Sequence, residues 1–553
     1  MILGLDVGGT HTDAVIIDGN RVISSYKAVT DHKNLLNSMN DALEKVIEGI
    51  DKGKITRINL STTLSTNAIV ENTLEDVGVL LSAGPGINPE VFAIGKHCQI
   101  ISGSIDHRGT VVQELNEGEL TKAVNRFKKK KLSVFSAVTK FSTRNPDGEN
   151  HIREILAAET DFLTMGHKLS GQLSFPRRVA TAYYNSAVWR LYNRFADAIE
   201  RSIEKIGFKA DINILKADGG TMPLEHSRQV PVESILSGPA ASILGILGLC
   251  DIDEDAVMLD IGGTTTDIAV LVAGVPLVER EGISFNGRPT LVRSLETRSI
   301  GIGGDSAIVI EGEEVRVGPE RRGPCMAEGG TSPALVDALN YLEIKEFKDY
   351  KASVKGIEEL AADKGKDAGE TARKAVEYAV EAIRQAVADF VVELNDKPVY
   401  TIHDMVDGHV ITPKSVYVMG GPAAGFKSLI EKAFGLPVTV PANYQVVNAV
   451  GAALAKTTFE IELFADTGRG ELLVPNLDVR KNITSRYSLD DAIDEAHDYL
   501  FQYARSIDPA MQESDIEVIE SSAFKMVSGY SSSGYDLRVK CQVKPGVVMQ
   551  VER

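Results

Sequence analysis

Short apolar runs separated by glycine, aspartate and asparagine open the chain: Ile2–Asp6, then Ala14–Ile17, then Val22–Tyr26, with Asp18-Gly19-Asn20 between the last two. Runs of this length with Asp-Gly turns predict strands joined as hairpins. Apolar positions then recur at helical spacing over Leu35–Ile50, and a short strand is expected at Ile55–Leu60. Val79–Leu81 and Val134–Val138 read as buried strands, so this part of the chain alternates α and β and belongs on a sheet with covering helices. From Ala180 to Ile206 the spacing is helical, and its aromatic residues, Tyr183, Tyr184, Trp189, Tyr192 and Phe195, are read as core packing. Ile212–Lys216 returns to strand, and a small-residue helix is expected over Ala240–Leu249.

The strand-and-turn pattern restarts at Val257. Further along, an Ala-rich amphipathic helix is expected over Asp367–Leu394, and a strand, Val416–Met419, runs into Gly420-Gly-Pro-Ala-Ala-Gly425. Val438–Val440 reads as a short strand and Asn448–Lys456 as a small-residue helix. Past about Thr458 the composition turns more acidic and strand-like, which predicts a separate C-terminal module.

The 553-residue length allows roughly three to four domains. A formal charge of −18 argues against a nucleic-acid footprint, and the cationic run Arg126–Lys131 is read as a solvated helix end. No run approaches the ~18 apolar residues of a membrane span. The first strand follows the N-terminus without a basic leader, so a cytoplasmic protein with no membrane contact is expected. The four cysteines are scattered, and the ten histidines form no close ligand cluster. Any metal is therefore expected to be Mg²⁺ on oxygen ligands. Cys325 sits in a loop with no identifiable base, which leaves a nucleophilic role without a partner.

Two segments nearly repeat each other: Leu3-Gly-Leu-Asp-Val-Gly-Gly-Thr-His-Thr-Asp13 and Met258-Leu-Asp-Ile-Gly-Gly-Thr-Thr-Thr-Asp267. Glycine turns let backbone N–H groups approach phosphate oxygens, threonines add hydroxyl donors, and a strand-end aspartate can hold hydrated Mg²⁺. A hairpin needs none of the flanking Asp and Thr; a phosphate site with Mg²⁺ needs all of them. The expected nucleotide site comprises Gly8, Gly9, Thr10 and Thr12 on one side and Gly262, Gly263, Thr264 and Thr265 on the other. Gly303 and Gly304 add a third glycine turn, and Gly420 and Gly421 a fourth, expected against the sugar and α-phosphate. His11 lies inside the first turn, within reach of phosphate or substrate. No Walker A lysine pattern is present.

These residues resemble the hydantoinase A/5-oxoprolinase family. The resemblance rests on Leu5–Asp13, Ser61-Thr-Thr-Leu-Ser-Thr-Asn-Ala68, Asp218-Gly-Gly-Thr-Met222, Val232-Glu-Ser-Ile-Leu-Ser-Gly-Pro-Ala-Ala241 and Leu259–Asp267, with Val317-Gly-Pro319 and Ser332–Asp337 as later landmarks. It implies an α/β fold of two ribonuclease H-like, actin-like ATPase domains around a nucleotide cleft, plus a small C-terminal α+β module. The implied domains are 1–178, then 179–457 with a helical insertion, then 458–553. It further implies ATP and Mg²⁺ as cofactors, with Asp6 and Asp260 as metal-orienting catalytic residues. Activity would be phosphorylation of the carbonyl oxygen of a cyclic amide such as a hydantoin or 5-oxoproline. A hydantoinase B-like second subunit and an oligomer are expected. Two alternatives share the nucleotide site: the ATP subunit of a ketone carboxylase, and a chaperone-like ATPase that reactivates a partner enzyme. This chain departs from the family at Asp305, where a third glycine is usual, at Ser61, where a glycine is usual, and in the stretch Gly323-Pro-Cys-Met.

Overall fold

The opening runs fold as two consecutive hairpins, Ile2–Val7 with His11–Asp18 and His11–Asp18 with Arg21–Val29. The computed structural model describes residues 1–31, 35–279, 281–396, 410–528 and 531–552. Arg57–Thr62 and Asp211–Leu215 add in parallel on the far side of Ile2–Val7, and Thr221–Pro223 closes that edge. The second half repeats this plan. Ala256–Ile261 pairs antiparallel with Thr266–Val272, which pairs with Val275–Pro276, while Ser415–Met419 and Val438–Thr439 add in parallel. Both sheets therefore run antiparallel through three strands and parallel through the next two. A four-stranded parallel sheet (78–82, 97–100, 134–139 and 162–165) is carried between the strands of the first.

Two helices, Ser237–Leu249 and Val447–Leu454, lie between the two repeated sheets. Their small apolar residues share one core with Val15, Ile17 and Leu215 of the first sheet and with Ala256, Met258 and Ala269 of the second. Glycine is required where they cross. A Cβ on Gly451 would stand 1.9 Å from the Ala241 carbonyl oxygen, and one on Gly245 would stand 2.2 Å from that of Val447. Backbone thus touches backbone, and the ends of both helices are delivered to the place where the sheets face each other.

The helix Phe175–Ile206 buries Tyr184, Tyr192 and Phe195, as its spacing predicts, and Trp189 stacks on Phe162. It also carries the chain back to the first sheet. The sequence-based boundary at 178/179 cuts through that sheet, because Asp211–Leu215 and Thr221–Pro223 lie beyond it and pair within it. Parallel pairing through a long helical connection leaves no local trace in the sequence. The C-terminal module forms a five-stranded sheet, 460–466, 471–474, 479–482, 516–528 and 531–543, covered by the helix Leu489–Ile507. Arg108 holds Asp466 (3.0 Å) and Arg293 holds Glu460 (2.5 Å), which dock this module on the rest.

Candidate nucleotide site

Each repeated motif closes the same turn. Gly8 N–H donates to the His11 carbonyl (3.0 Å), and Gly262 N–H donates to that of Thr265 (2.9 Å). Asp6 pairs across its hairpin with Asp13, and Asp260 with Asp267, so Thr10 corresponds to Thr264, His11 to Thr265 and Thr12 to Thr266. The two turns come face to face: a Cβ on Gly263 would lie 3.7 Å from Thr10 Cγ2. Thr10, Thr264 and Thr265 are half-buried at this junction. Thr12 departs from the expectation that it contacts phosphate, because strand alternation puts it, paired with Val7, on the face opposite Asp6 and Asp13. It is fully buried, with its hydroxyl 3.1 Å from that of Thr30, and Thr266 likewise donates to the Ile302 carbonyl.

The crossing helices bridge the two aspartates. Asn448, in the first turn of its helix, donates through Nδ2 to Asp6 Oδ2 at 3.4 Å. The Ser242 hydroxyl, with one proton to share, sits 2.5 Å from Asp260 Oδ2 and 2.9 Å from Asn448 Oδ1. Lys27 holds Asp13 through both oxygens at 2.8 and 2.9 Å. Asp13, Asp267, Asn448, Ser242 and Lys27 escaped the sequence reading. The two aspartates were visible as the last residue of each motif, and their place opposite Asp6 and Asp260 follows from hairpin register.

This cluster holds more carboxylate than cation. Burial, and then the Asp13 charge, lift Asp6 to about 7, against the pull of Ser61, Asn448 and Lys27. Burial, and then Asp260, raise Asp267 to about 6. Burial also raises Asp260 and Asp13, although Ser242 and Lys27 respectively oppose it. Asp6 Oδ1 is buried and has no hydrogen-bond partner. An orphaned carboxylate oxygen beside a second strand-end aspartate fits a hard divalent cation such as Mg²⁺, which takes one or two carboxylates and completes its shell with water and phosphate. Among the described residues no group of three or more His, Cys, Asp or Glu is placed to hold a metal ion.

The remaining glycine turns join the same junction. Gly304 and Asp305 donate backbone N–H bonds to Gly262 and Gly263 at 2.8 and 2.6 Å. A Cβ on Gly304 would meet Pro422 at 2.8 Å, which puts the 303–304 turn against the 420–422 turn. Gly420 adopts φ +94°, and a Cβ there would lie 2.2 Å from the Ile261 carbonyl and 2.9 Å from Asp260 Oδ1. Nothing lies within 4 Å of the Cβ position of Gly9 or of Gly421, so these two glycines look onto open space. Asp305 stands at the second turn, where a Cβ on Gly263 would lie 3.0 Å from its Oδ2. Its carboxylate takes Arg321 at 2.8 Å and the Cys325 N–H at 3.1 Å. Burial and Lys27 lower His11 to about 4, leaving it neutral at pH 7. Burial pushes the Cys325 thiol up to about 12, which disfavours the thiolate that a nucleophilic role needs.

The profile of the hydantoinase/oxoprolinase family matches residues 178–461, and that of the family's N-terminal region matches residues 2–160. The chain belongs to the hydantoinase/oxoprolinase family. An uncharacterised protein of Methanocaldococcus jannaschii is 25% identical over 82% of this chain and 72% of its own length. The caprolactamase alpha subunit of Pseudomonas jessenii is 25% identical over 62% of the chain and 54% of the subunit. The acetophenone carboxylase gamma subunit of Aromatoleum aromaticum is 23% identical over 61% and 52%. The match thus spans about half the length of these two subunits. Two solved structures share the mixed α/β fold. Acetone carboxylase, in its nucleotide-free form, aligns with a TM-score of 0.70 at 15% identity, covering 99% of this chain and 88% of that one. The ATP-dependent caprolactamase of Pseudomonas jessenii aligns with a TM-score of 0.66 at 18% identity, covering 98% and 87%. Among the described residues no helix is long and apolar enough to cross a membrane.

Proposed function

We propose that this hydantoinase/oxoprolinase chain is an ATP-using subunit that phosphorylates the carbonyl oxygen of a cyclic amide, with ATP clamped between two ribonuclease H-like halves. One observation carries the reading: two equivalent Asp-x-Gly-Gly-Thr turns face each other, with Asp6 and Asp260 linked through Asn448 and Ser242. Asp6 and Asp260 would hold Mg²⁺ and its waters. Thr10 would meet the phosphates from one side, and Thr264 and Thr265 from the other. The open faces above Gly9 and Gly421 would take the phosphates and the adenosine, while Gly303 and Gly304 support the second turn. Mg²⁺ there would neutralise the charge on the β- and γ-phosphates. The substrate oxygen attacks the γ-phosphorus and forms a new O–P bond. The bond from that phosphorus to the β,γ-bridging oxygen breaks, ADP leaves with the electron pair, and the amide N–H proton passes to solvent water. Positioning and charge stabilisation do this work, with no covalent help from the protein. Relatives that are subunits of larger enzymes support a hydantoinase B-like partner that completes ring opening.

The family also supports a second reading. Relatives include an acetone carboxylase beta subunit, so a ketone with bicarbonate is a rival acceptor. Phosphate release separates the two, assayed with ε-caprolactam, 5-oxoproline, hydantoin, or acetone plus bicarbonate, each with and without a co-purified partner. A cyclic amide is expected to raise turnover at least tenfold over the basal rate. Stimulation by ketone and bicarbonate alone would select the carboxylase reading. Stimulation by protein alone would replace both with a partner-reactivating ATPase.

A further inference from the structure

Asp305 stands where the family usually has a third glycine, and the phosphate-binding reading gives its carboxylate no task. An ionised carboxylate beside a triphosphate repels it, so this position needs a cation. The fold supplies one. Ser306–Glu311 and Glu314–Arg321 form a hairpin whose register puts Arg321 opposite Ser306, the residue after Asp305. That end of the hairpin is anchored: Ser306 Oγ accepts from the Gly303 N–H at 2.8 Å, and a Cβ on Gly301 would lie 2.5 Å from Pro319 Cβ. Arg321 Nη2 then donates to Asp305 Oδ2 at 2.8 Å. The other carboxylate oxygen accepts from the Cys325 N–H at 3.1 Å, and the Asp305 N–H donates to the Gly263 carbonyl at 2.6 Å. The ion pair is thereby fixed to the tip of the second glycine turn.

The pair also reaches the first turn. The Cβ position of Gly263 has Asp305 Oδ2 at 3.0 Å and Thr10 Cγ2 at 3.7 Å, so the carboxylate lies where the two turns meet. Burial and then Lys27 lower the pKa of His11 in the first turn, and the Arg321 charge adds to them. On the other side, a Cβ on Gly304 would lie 2.8 Å from Pro422, beside the turn assigned to adenosine. The order along the junction is therefore adenosine turn, Gly304, Asp305, first turn. Arg321 sits toward the first turn, where the phosphate chain of ATP would end. Its side chain is 30% exposed against 13% for Asp305, so the carboxylate is enclosed while the guanidinium opens outward. Among the described residues its only ion pair is with Asp305, which leaves Nη1 and Nε uncommitted. A guanidinium held at one nitrogen still presents a planar fork of donors, the geometry that matches a phosphate.

We propose that Arg321, positioned by Asp305, binds the γ-phosphate and lets the site tell ATP from ADP. The inference rests on the nucleotide reading of the paired turns and adds to it the residue that recognises the transferred group. Calorimetric titration of the full chain with Mg²⁺ and either ADP or a non-hydrolysable ATP analogue tests it. The wild type is expected to bind the analogue at least tenfold tighter than ADP. Arg321→Ala is expected to weaken the analogue at least tenfold while ADP stays within threefold. That variant leaves Asp305 unpaired, and its bare charge alone would repel a triphosphate. The double variant, Asp305→Asn with Arg321→Ala, removes both charges and is expected to remain at least tenfold weaker for the analogue. Recovery of the wild-type preference in the double variant would overturn the proposal and leave the pair as a fastening of the loop. An unchanged preference in Arg321→Ala would overturn it too. If that variant instead lost affinity for 5-oxoproline but not for 2-pyrrolidinone, Arg321 would belong to the acceptor's carboxylate. ADP binding to the wild type with no preference for the analogue would remove the role of Arg321 and leave the nucleotide site standing. Binding of neither nucleotide would overturn the nucleotide reading, and this inference with it.

Discussion

Asp6 and Asp260 occupy equivalent strand ends, yet their surroundings differ. Asp260 accepts from Ser242 at 2.5 Å, whereas Asp6 keeps one oxygen buried and unpartnered. An ionised carboxylate in that setting is costly without a cation and useful with one. Asp6→Asn is therefore expected to leave the thermal midpoint of the nucleotide-free protein unchanged or higher, while ATP turnover falls by about 10²–10³-fold. Asp260→Asn should lose turnover to the same degree with its fold intact, as read by circular dichroism beside phosphate release. A second residue-scale prediction concerns Glu233, which burial raises above the ordinary glutamate value of 4.5 to about 7. The folded state then binds more protons than the unfolded state between those values, so this group's contribution to stability falls as pH rises through that window. Glu233→Gln should match the wild type in thermal midpoint near pH 4.5 and exceed it by pH 8. A wild-type advantage at pH 8 would show that the ionised carboxylate is well served.

Helices Ser237–Leu249 and Val447–Leu454 make the site possible, because they cross at Gly245 and Gly451 and so bring Ser242 and Asn448 between the two hairpins. Gly451→Ala would drive a methyl group against the Ala241 carbonyl. Overpacking of this kind costs about 1–3 kcal/mol, and urea unfolding should report it. Nucleotide affinity should fall with it, since Asn448 moves with that helix. The hairpins were legible in the sequence because Asp-Gly-Asn and the repeated Asp-x-Gly-Gly-Thr turns are local signals. The helices were legible too, as small-residue runs at Ala240–Leu249 and Asn448–Lys456. Their crossing was not, since a run of glycine and alanine does not say which backbone it will touch. Asn448 and Ser242 therefore gave no sign of their role. Thr12 misled because a hydroxyl near a glycine turn reads as a phosphate donor until strand register turns it toward Thr30.

At the scale of the molecule, two sheets of matching order face each other across one helical layer, each with its glycine turn at the meeting point. The repeat in the sequence thus becomes a repeat in space, and a separate polar cavity lies under the third, C-terminal module. The strands at 211–223 belong to the first sheet, so a motion that opens the nucleotide site would carry Lys216, Asp218 and the first turn together. A clamp built this way requires both sides. Gly9 and Gly421 offer the cleanest test, because a Cβ at either meets nothing within 4 Å and points toward the space assigned to ATP. The measurement is calorimetric titration of Mg²⁺ and a non-hydrolysable ATP analogue into wild type, Gly9→Val and Gly421→Val. A two-sided clamp predicts binding by the wild type and at least a tenfold loss in each variant, with thermal midpoints unchanged. Wild-type affinity in both variants would contradict it.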